Sequence, residues 1–314
     1  MKKSDIPIVP DGRPASSPGP GIVATVLSMI IWGLAPLYWT ELDGIPSLEL
    51  IFHRVLWVWA ILMPVVFIRK RGGAFLLALR TPKEGGLHLV SGLLLGMNWY
   101  SFVWAVLNER VVEVSLGYFI LPLINVLLGF LFFQERLSRM QGVAVSLAFI
   151  AVLIQLIQYG QVPWTALVVA FSFGFYSLIR KKSSLGSLTG LTIEMTFLFP
   201  VALFALGMAH LDGVGALGRS SAWVNGLLVG TGILTATPLL LFAFGARRIP
   251  LSTVGVMQYI APSLHFLLGV FYYQEAFESA QWITFGMIWV ALALYTIDLR
   301  QKVRTEALRS RGAD

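Results

Sequence analysis

Residues 120–135 read ILPLINVLLGFLFFQE, and residues 260–275 read IAPSLHFLLGVFYYQE. Ile120, Pro122, Leu127, Leu128, Gly129, Gln134 and Glu135 recur unchanged 140 positions later, and Gln141 recurs as Gln281. A constant offset over so many positions marks an internal duplication, which decides the architecture before any local motif is read. Ser47-Leu48 and Ser187-Leu188 keep the offset, whereas Trp32-Gly33 and Phe173-Gly174 miss it by one residue.

Both copies lie in long apolar runs. The chain of 314 residues is 57% hydrophobic and only 12% charged, with a mean hydropathy of +0.77, against roughly 25% charged residues in ordinary soluble domains. Apolar windows bounded by Gly, Pro and charge predict helices near 21–41, 48–68, 86–107, 111–133, 140–158, 163–180, 187–208, 222–245, 250–273 and 280–299. Each is about the length that a hydrocarbon layer of ~30 Å requires. Twenty of the 23 Lys and Arg residues fall in the tails and alternate loops, which the positive-inside rule assigns to the cytoplasm; Arg110 and Arg219 lie in the other loops and Arg54 within a helix. Arg180, Lys181 and Lys182 count with the cytoplasmic set. Both termini are therefore expected in the cytoplasm of a bacterial cell, with the chain in the inner membrane.

Five helices per copy is an odd number, so the second copy enters the bilayer upside down. The expected fold class is all-α integral membrane: ten transmembrane helices in two inverted five-helix repeats, residues 20–158 and 163–299. Residues 1–19 read as a disordered cytoplasmic tail and residues 300–314 as a basic cytoplasmic one. Inverted repeats place a solute site near the midplane where the copies meet. A net charge of +7 with pI near 9.8 does not indicate nucleic-acid binding, since the basic residues occupy short loops and form no soluble face. With no cysteine, disulfides and thiolate metal sites are excluded.

Candidate functional residues follow from what a membrane tolerates. Tyr118, Pro122, Asn125 and Gly129 share one helical face, and their repeat mates are Gln258, Pro262, His265 and Gly269. Polar groups beside helix-breaking prolines (Pro122, Pro262) suit a solvated cavity, so Tyr118, Asn125, Gln258 and His265 are expected to line a central site. Structural contacts between helices are the alternative for each. Asn98 and Ser101 share a face of the third span, with Trp99 beside them; Tyr176 and Thr235 lie on the sixth and eighth. Arg54 and Glu194 are repeat mates and the most costly residues to embed. The former could attract an anionic group or hold a gate, and Glu194 or the neighbouring His53 could couple a proton. Their depths, ~12 Å apart by helical rise, argue against a direct ion pair.

Trp32-Gly33-Leu34-Ala35-Pro36, His53-Arg54-Val55, Asn98-Trp99, Leu116-Gly117-Tyr118-Phe119-Ile120, Arg180-Lys181-Lys182, Gln258-Tyr259-Ile260 and Trp289-Val290-Ala291-Leu292-Ala293 resemble the RarD-like proteins. These form part of the EamA group of the drug/metabolite transporter superfamily, and the similarity covers about residues 20 to 300. It implies a permease, and relatives export amino acids and other metabolites; together with the inverted repeats, the expected function is export of metabolites or drugs by alternating access on a small-molecule substrate. No cofactor is implied. A membrane-embedded enzyme is the competing reading, but the embedded ionisable residues His53, Arg54, Glu194 and His265 are scattered over separate helices without a catalytic motif. A non-transporting membrane subunit is the third. Substrate identity, direction and oligomeric state have no signature in the sequence.

Overall fold

The computed structural model describes residues 18–274 and 279–311, so the expected tail before Pro18, and Glu275 of the repeat, lie outside the described residues. The helices are α1 (Gly19–Leu34), α2 (Pro36–Trp39), α3 (Ser47–Ile68), α4 (Gly72–Arg80), α5 (Pro82–Leu107), α6 (Val111–Phe133), α7 (Arg139–Tyr159), α8 (Trp164–Lys182), α9 (Ser187–Leu211), α10 (Ala222–Ala246), α11 (Leu251–Gln258), α12 (Ile260–Phe271) and α13 (Ser279–Arg311). With a short 3-10 turn, α1 and α2 make the first span, and α11 with α12 makes the ninth. The chain is an all-α membrane protein of ten spanning helices in two inverted repeats.

Among the described residues, nine helices are long and apolar enough to cross a membrane. The tenth, α8, falls short because it is built for protein contact: eleven of its nineteen residues are buried, Thr165, Ser172, Tyr176, Ser177 and Arg180 among them. Elsewhere the outer surface is apolar, with Phe130, Ile157, Phe204 and Phe271 exposed, as lipid contact requires. Two features depart from the sequence reading. The loop after α3 holds the short helix α4, whose Phe75 and Ala78 pack with Val66 and Ile193. The expected C-terminal tail begins as a continuation of the last span, since α13 runs unbroken to Arg311.

Helix pairing displays the duplication. Contacts of α6 with α8 are matched by α12 with α1, those of α5 with α8 by α10 with α1, and those of α3 with α10 by α9 with α5. Three pairs join equivalent helices directly: α3 with α9, α6 with α11, and α7 with α13. A residue can touch its own repeat mate only near the axis relating the copies, and several do. Trp59 stacks on Phe199 with ring centroids 4.0 Å apart; Tyr259 donates its hydroxyl to the Phe119 carbonyl at 3.0 Å; Trp32 meets Phe173 edge-on at 5.7 Å. These contacts trace a pseudo-two-fold axis through the middle of α3 and α9.

The one-residue slip at Trp32-Gly33 is a true equivalence. A Cβ on Gly33 would stand 2.6 Å from Leu264, and one on Gly174 would stand 2.6 Å from Ile124; Leu264 and Ile124 are themselves mates. Likewise Gln134 and Gln274, which end the repeated motif, both take left-handed conformations (φ 53° and 54°). Gln141 forms a capping box with Ser138 at the start of α7, which explains one of the repeated glutamines.

Candidate functional site

Arg54 lies on α3, five residues before the axial Trp59, hence about 7.5 Å from the midplane toward the end poor in basic residues. Its Nε donates to Thr235 Oγ1 on α10 at 3.0 Å. The guanidinium sits over the Trp99 ring of α5, 4.2 Å from the centroid, and 5.4 Å from that of Trp39 on α2. Tyr118 on α6 is close enough to interact electrostatically with it. Arg54 is enclosed by protein yet only half-buried, and no carboxylate stands within ion-pair distance of it among the described residues. Four residues singled out from sequence thus converge here (Arg54, Trp99, Tyr118 and Thr235), drawn from both repeats. Trp39 was not foreseen, because a tryptophan at a span end reads as interfacial belt.

The mate of Arg54 is held differently. Glu194 is fully buried, and its Oε1 accepts from Arg180 Nη1 at 3.1 Å, Ser91 Oγ at 2.8 Å and His88 Nδ1 at 3.1 Å. His88 Nε2 in turn lies 3.0 Å from Ser183 Oγ, within hydrogen-bond distance. Tyr176, also fully buried, is near enough to the same carboxylate to interact with it electrostatically. Gly190 is required for the fit, since a Cβ there would lie 2.0 Å from the Arg180 guanidinium. This corrects the reading of Arg180 as a loop cation: it is fully buried and neutralises Glu194. Glu194, expected as a candidate for proton coupling, is thereby enclosed in a buried ion pair. The readable sign was the pair His88 and Ser91 at i, i+3 on the face of Asn98.

The matched faces of the fourth and ninth spans pack on each other. Asn125 donates its amide to Gln258, and the place of a Cβ on Gly255 is 2.6 Å from the Pro122 carbonyl. Asn125 and Gln258, expected to line the central site, are thus buried parts of a helix contact. The prolines differ as well. The ninth span breaks at Tyr259, three residues before Pro262, whereas α6 continues unbroken through Pro122, so Pro122 is not helix-breaking. His265, exposed, lies 3.1 Å from the Trp32 carbonyl through Nε2. Asn98 is buried and its amide nitrogen donates to Val169 O at 2.9 Å and Ser172 Oγ at 3.2 Å, which makes it a bridge from α5 to α8; Ser101 is half-buried one turn on.

His53 points away from Arg54, with Nε2 3.5 Å from Glu49 Oε1. Both line a groove of about 440 Å³ between α3 and α9 that also includes His210; none of the residues around Arg54 borders it. Among the described residues no group of three or more His, Asp or Glu side chains is placed to hold a metal ion.

At the end rich in basic residues the two halves are tied. Glu135, just past α6, accepts from the Leu251 and Ser252 backbone N–H groups at 2.7 and 2.8 Å and from the Ser252 hydroxyl at 2.8 Å. It thereby caps α11, where a helix N-terminus favours negative charge. Lys181 donates to the Ile249 and Ala246 carbonyls and lies 3.8 Å from Glu135.

An inverted ten-helix duplication with polar residues of both copies gathered beside its axis is a recurrent architecture of multi-pass membrane transporters. Residues 19–157 and 162–297 each match the EamA-like transporter family, and the chain belongs to that family. Within it the chain is RarD-like. It is 41% identical to the protein RarD of Escherichia coli (strain K12) over 88% of this chain and 94% of that one. An uncharacterized transporter of Bacillus subtilis (strain 168), YojE, is 44% identical over 88% and 93% respectively. The chloramphenicol-sensitive protein RarD of Pseudomonas aeruginosa is 29% identical over 93% and 98%. A crystal structure at 19% identity superposes with a TM-score of 0.67 over 89% of this chain and 98% of the other, a likeness of fold.

Proposed function

We infer that the protein is an inner-membrane permease that exports a small solute by alternating access, with the solute held at Arg54. The observation that carries this reading is an embedded arginine, accessible and without an acidic partner among the described residues, at a junction of helices from both repeats. Residues from both copies around one site are what rocking of one repeat against the other requires. The basic end, cytoplasmic by the positive-inside rule, is tied by Glu135, Lys181 and the Arg180–Glu194 pair, while Arg54 lies toward the opposite end. Such an arrangement suits the state that releases cargo outward. The chloramphenicol-sensitive relative is consistent with drug-related export.

The test is flux. Purified protein in liposomes loaded in turn with labelled amino acids, nucleosides, sugars and organic acids should release at least one class faster than protein-free vesicles, and Arg54→Gln should abolish that release. Release of none of the classes would favour a membrane enzyme or a non-transporting subunit. Unchanged release by the variant would remove Arg54 from the site.

A further inference from the structure

We propose that the solute bound at Arg54 is an organic monoanion, a single carboxylate on an apolar body. The proposal rests on Arg54 being the solute site and adds what kind of molecule occupies it. Thr235 fixes Nε, so the two terminal amino groups keep the parallel geometry that matches a carboxylate's two oxygens. They donate to no protein acceptor among the described residues and are not sealed from solvent.

The repeat mate shows what is missing. Glu194 has its counter-ion in Arg180. Counting back with the 141-residue offset of the first helices, the position equivalent to Arg180 holds Trp39, whose ring faces Arg54. The chain thus supplies an opposite charge on one side of the axis and an aromatic wall on the other. An embedded charge with no partner is costly, and a ligand that brings the partner relieves that cost on binding.

Charge counting narrows the cargo further. An amino-acid zwitterion would bring an ammonium that a carboxylate would best receive, and the four buried ones described are engaged elsewhere: Asp298 accepts from Ser138 Oγ at 2.7 Å and lies 3.3 Å from Lys302 Nζ. Glu49 accepts from the Ala216 N–H at 2.7 Å. Glu113 accepts from the Thr165 N–H at 2.7 Å, from Tyr159 and from Arg110. Glu194 is paired with Arg180. A dianion such as a phosphomonoester would need a second cation, but Arg110 and Arg180 are paired and Lys181 lies on backbone carbonyls and Glu135. The half-buried Trp39 ring offers flat apolar surface for the body of the solute, while Trp99, buried, backs the guanidinium from beneath.

An isosteric series tests this in purified protein, read by thermal unfolding and by quenching of tryptophan fluorescence. 3-Phenylpropanoate should bind about ten- to a hundredfold more tightly than its uncharged amide, the range expected for hydrogen bonds to a charged group. Phenylalanine, which adds an ammonium, and phenyl phosphate, which adds a charge, should both bind more weakly than 3-phenylpropanoate. Arg54→Gln should erase the preference for acid over amide, and Thr235→Val, which frees Nε without removing the charge, should reduce it. Equal binding of acid and amide, tighter binding of phenylalanine or phenyl phosphate, or no binding of any probe overturns the proposal. Flux in liposomes separates the two readings. Transport of some other solute without acid preference would retire the monoanion and keep the permease, whereas acid preference without flux would keep the monoanion site and retire the permease.

Discussion

Arg180 and Glu194 are each fully buried, so neither has water to fall back on when the other is removed. Breaking such a pair costs about 3–5 kcal/mol, while replacing both partners with apolar residues of similar volume is often neutral. Glu194→Gln should therefore lower the thermal unfolding temperature of the purified protein strongly, and Glu194→Leu combined with Arg180→Met should recover most of it. Wild-type stability in the single variant would mean that the pair is not a structural clasp and would reopen Glu194 as a titrating group. Glu194 was legible in the sequence because an acid inside an apolar window is conspicuous. Arg180 was not, because it sits beside Lys181 and Lys182 at a span end, where basic residues are ordinary. For the same reason Arg54 stood out while its partner ring Trp39 did not. Asn125 and Gln258 were read as cavity-lining from their matched positions; periodicity finds a shared face but does not say whether that face meets space or another helix.

Spanning helices were legible to within about four residues at every end but the last, where α13 runs on to Arg311, since an apolar window bounded by Pro, Gly and charge states its own ends. The short α4 was not, because nine residues are too few to span and, flanked by Arg69, Lys70, Arg71 and Lys83, read as part of a basic loop. The break in the ninth span at Tyr259 was also hidden, as Pro122 and Pro262 occupy equivalent positions and only one interrupts its helix. What the duplication did foretell is close packing at equivalent points. Gly33 lies against Leu264 and Gly174 against Ile124 with no room for a Cβ, and overpacking typically costs about 1–3 kcal/mol. Gly33→Val and Gly174→Val should each lower the unfolding temperature by comparable amounts, while Gly142→Ala, with nothing within 4 Å, should leave it unchanged. Ile124→Ala should partly rescue Gly174→Val. A large loss at one glycine with none at the other would show that the two contacts are not equivalent.

Across the whole molecule, the charge bias makes a prediction about sidedness. The chain has no native cysteine, so single cysteines report cleanly. One at Lys70 or Lys302 should resist a membrane-impermeant thiol reagent in intact cells, and one at Asp43 should react; the opposite pattern would invert the assignment of the cytoplasmic face. The same molecule-wide view bears on biosynthesis. Because α8 is the one span that falls short in apolar character and ends in Arg180, Lys181 and Lys182, it is a poor substrate for partition into lipid as it leaves the ribosome. Its natural neighbours, α5 and α6, are synthesised before it, whereas Glu194, which neutralises its arginine, comes after. Stable insertion of the sixth span thus waits on the seventh, and the midpoint of translation is the stage at which this chain depends most on being sheltered from the bilayer.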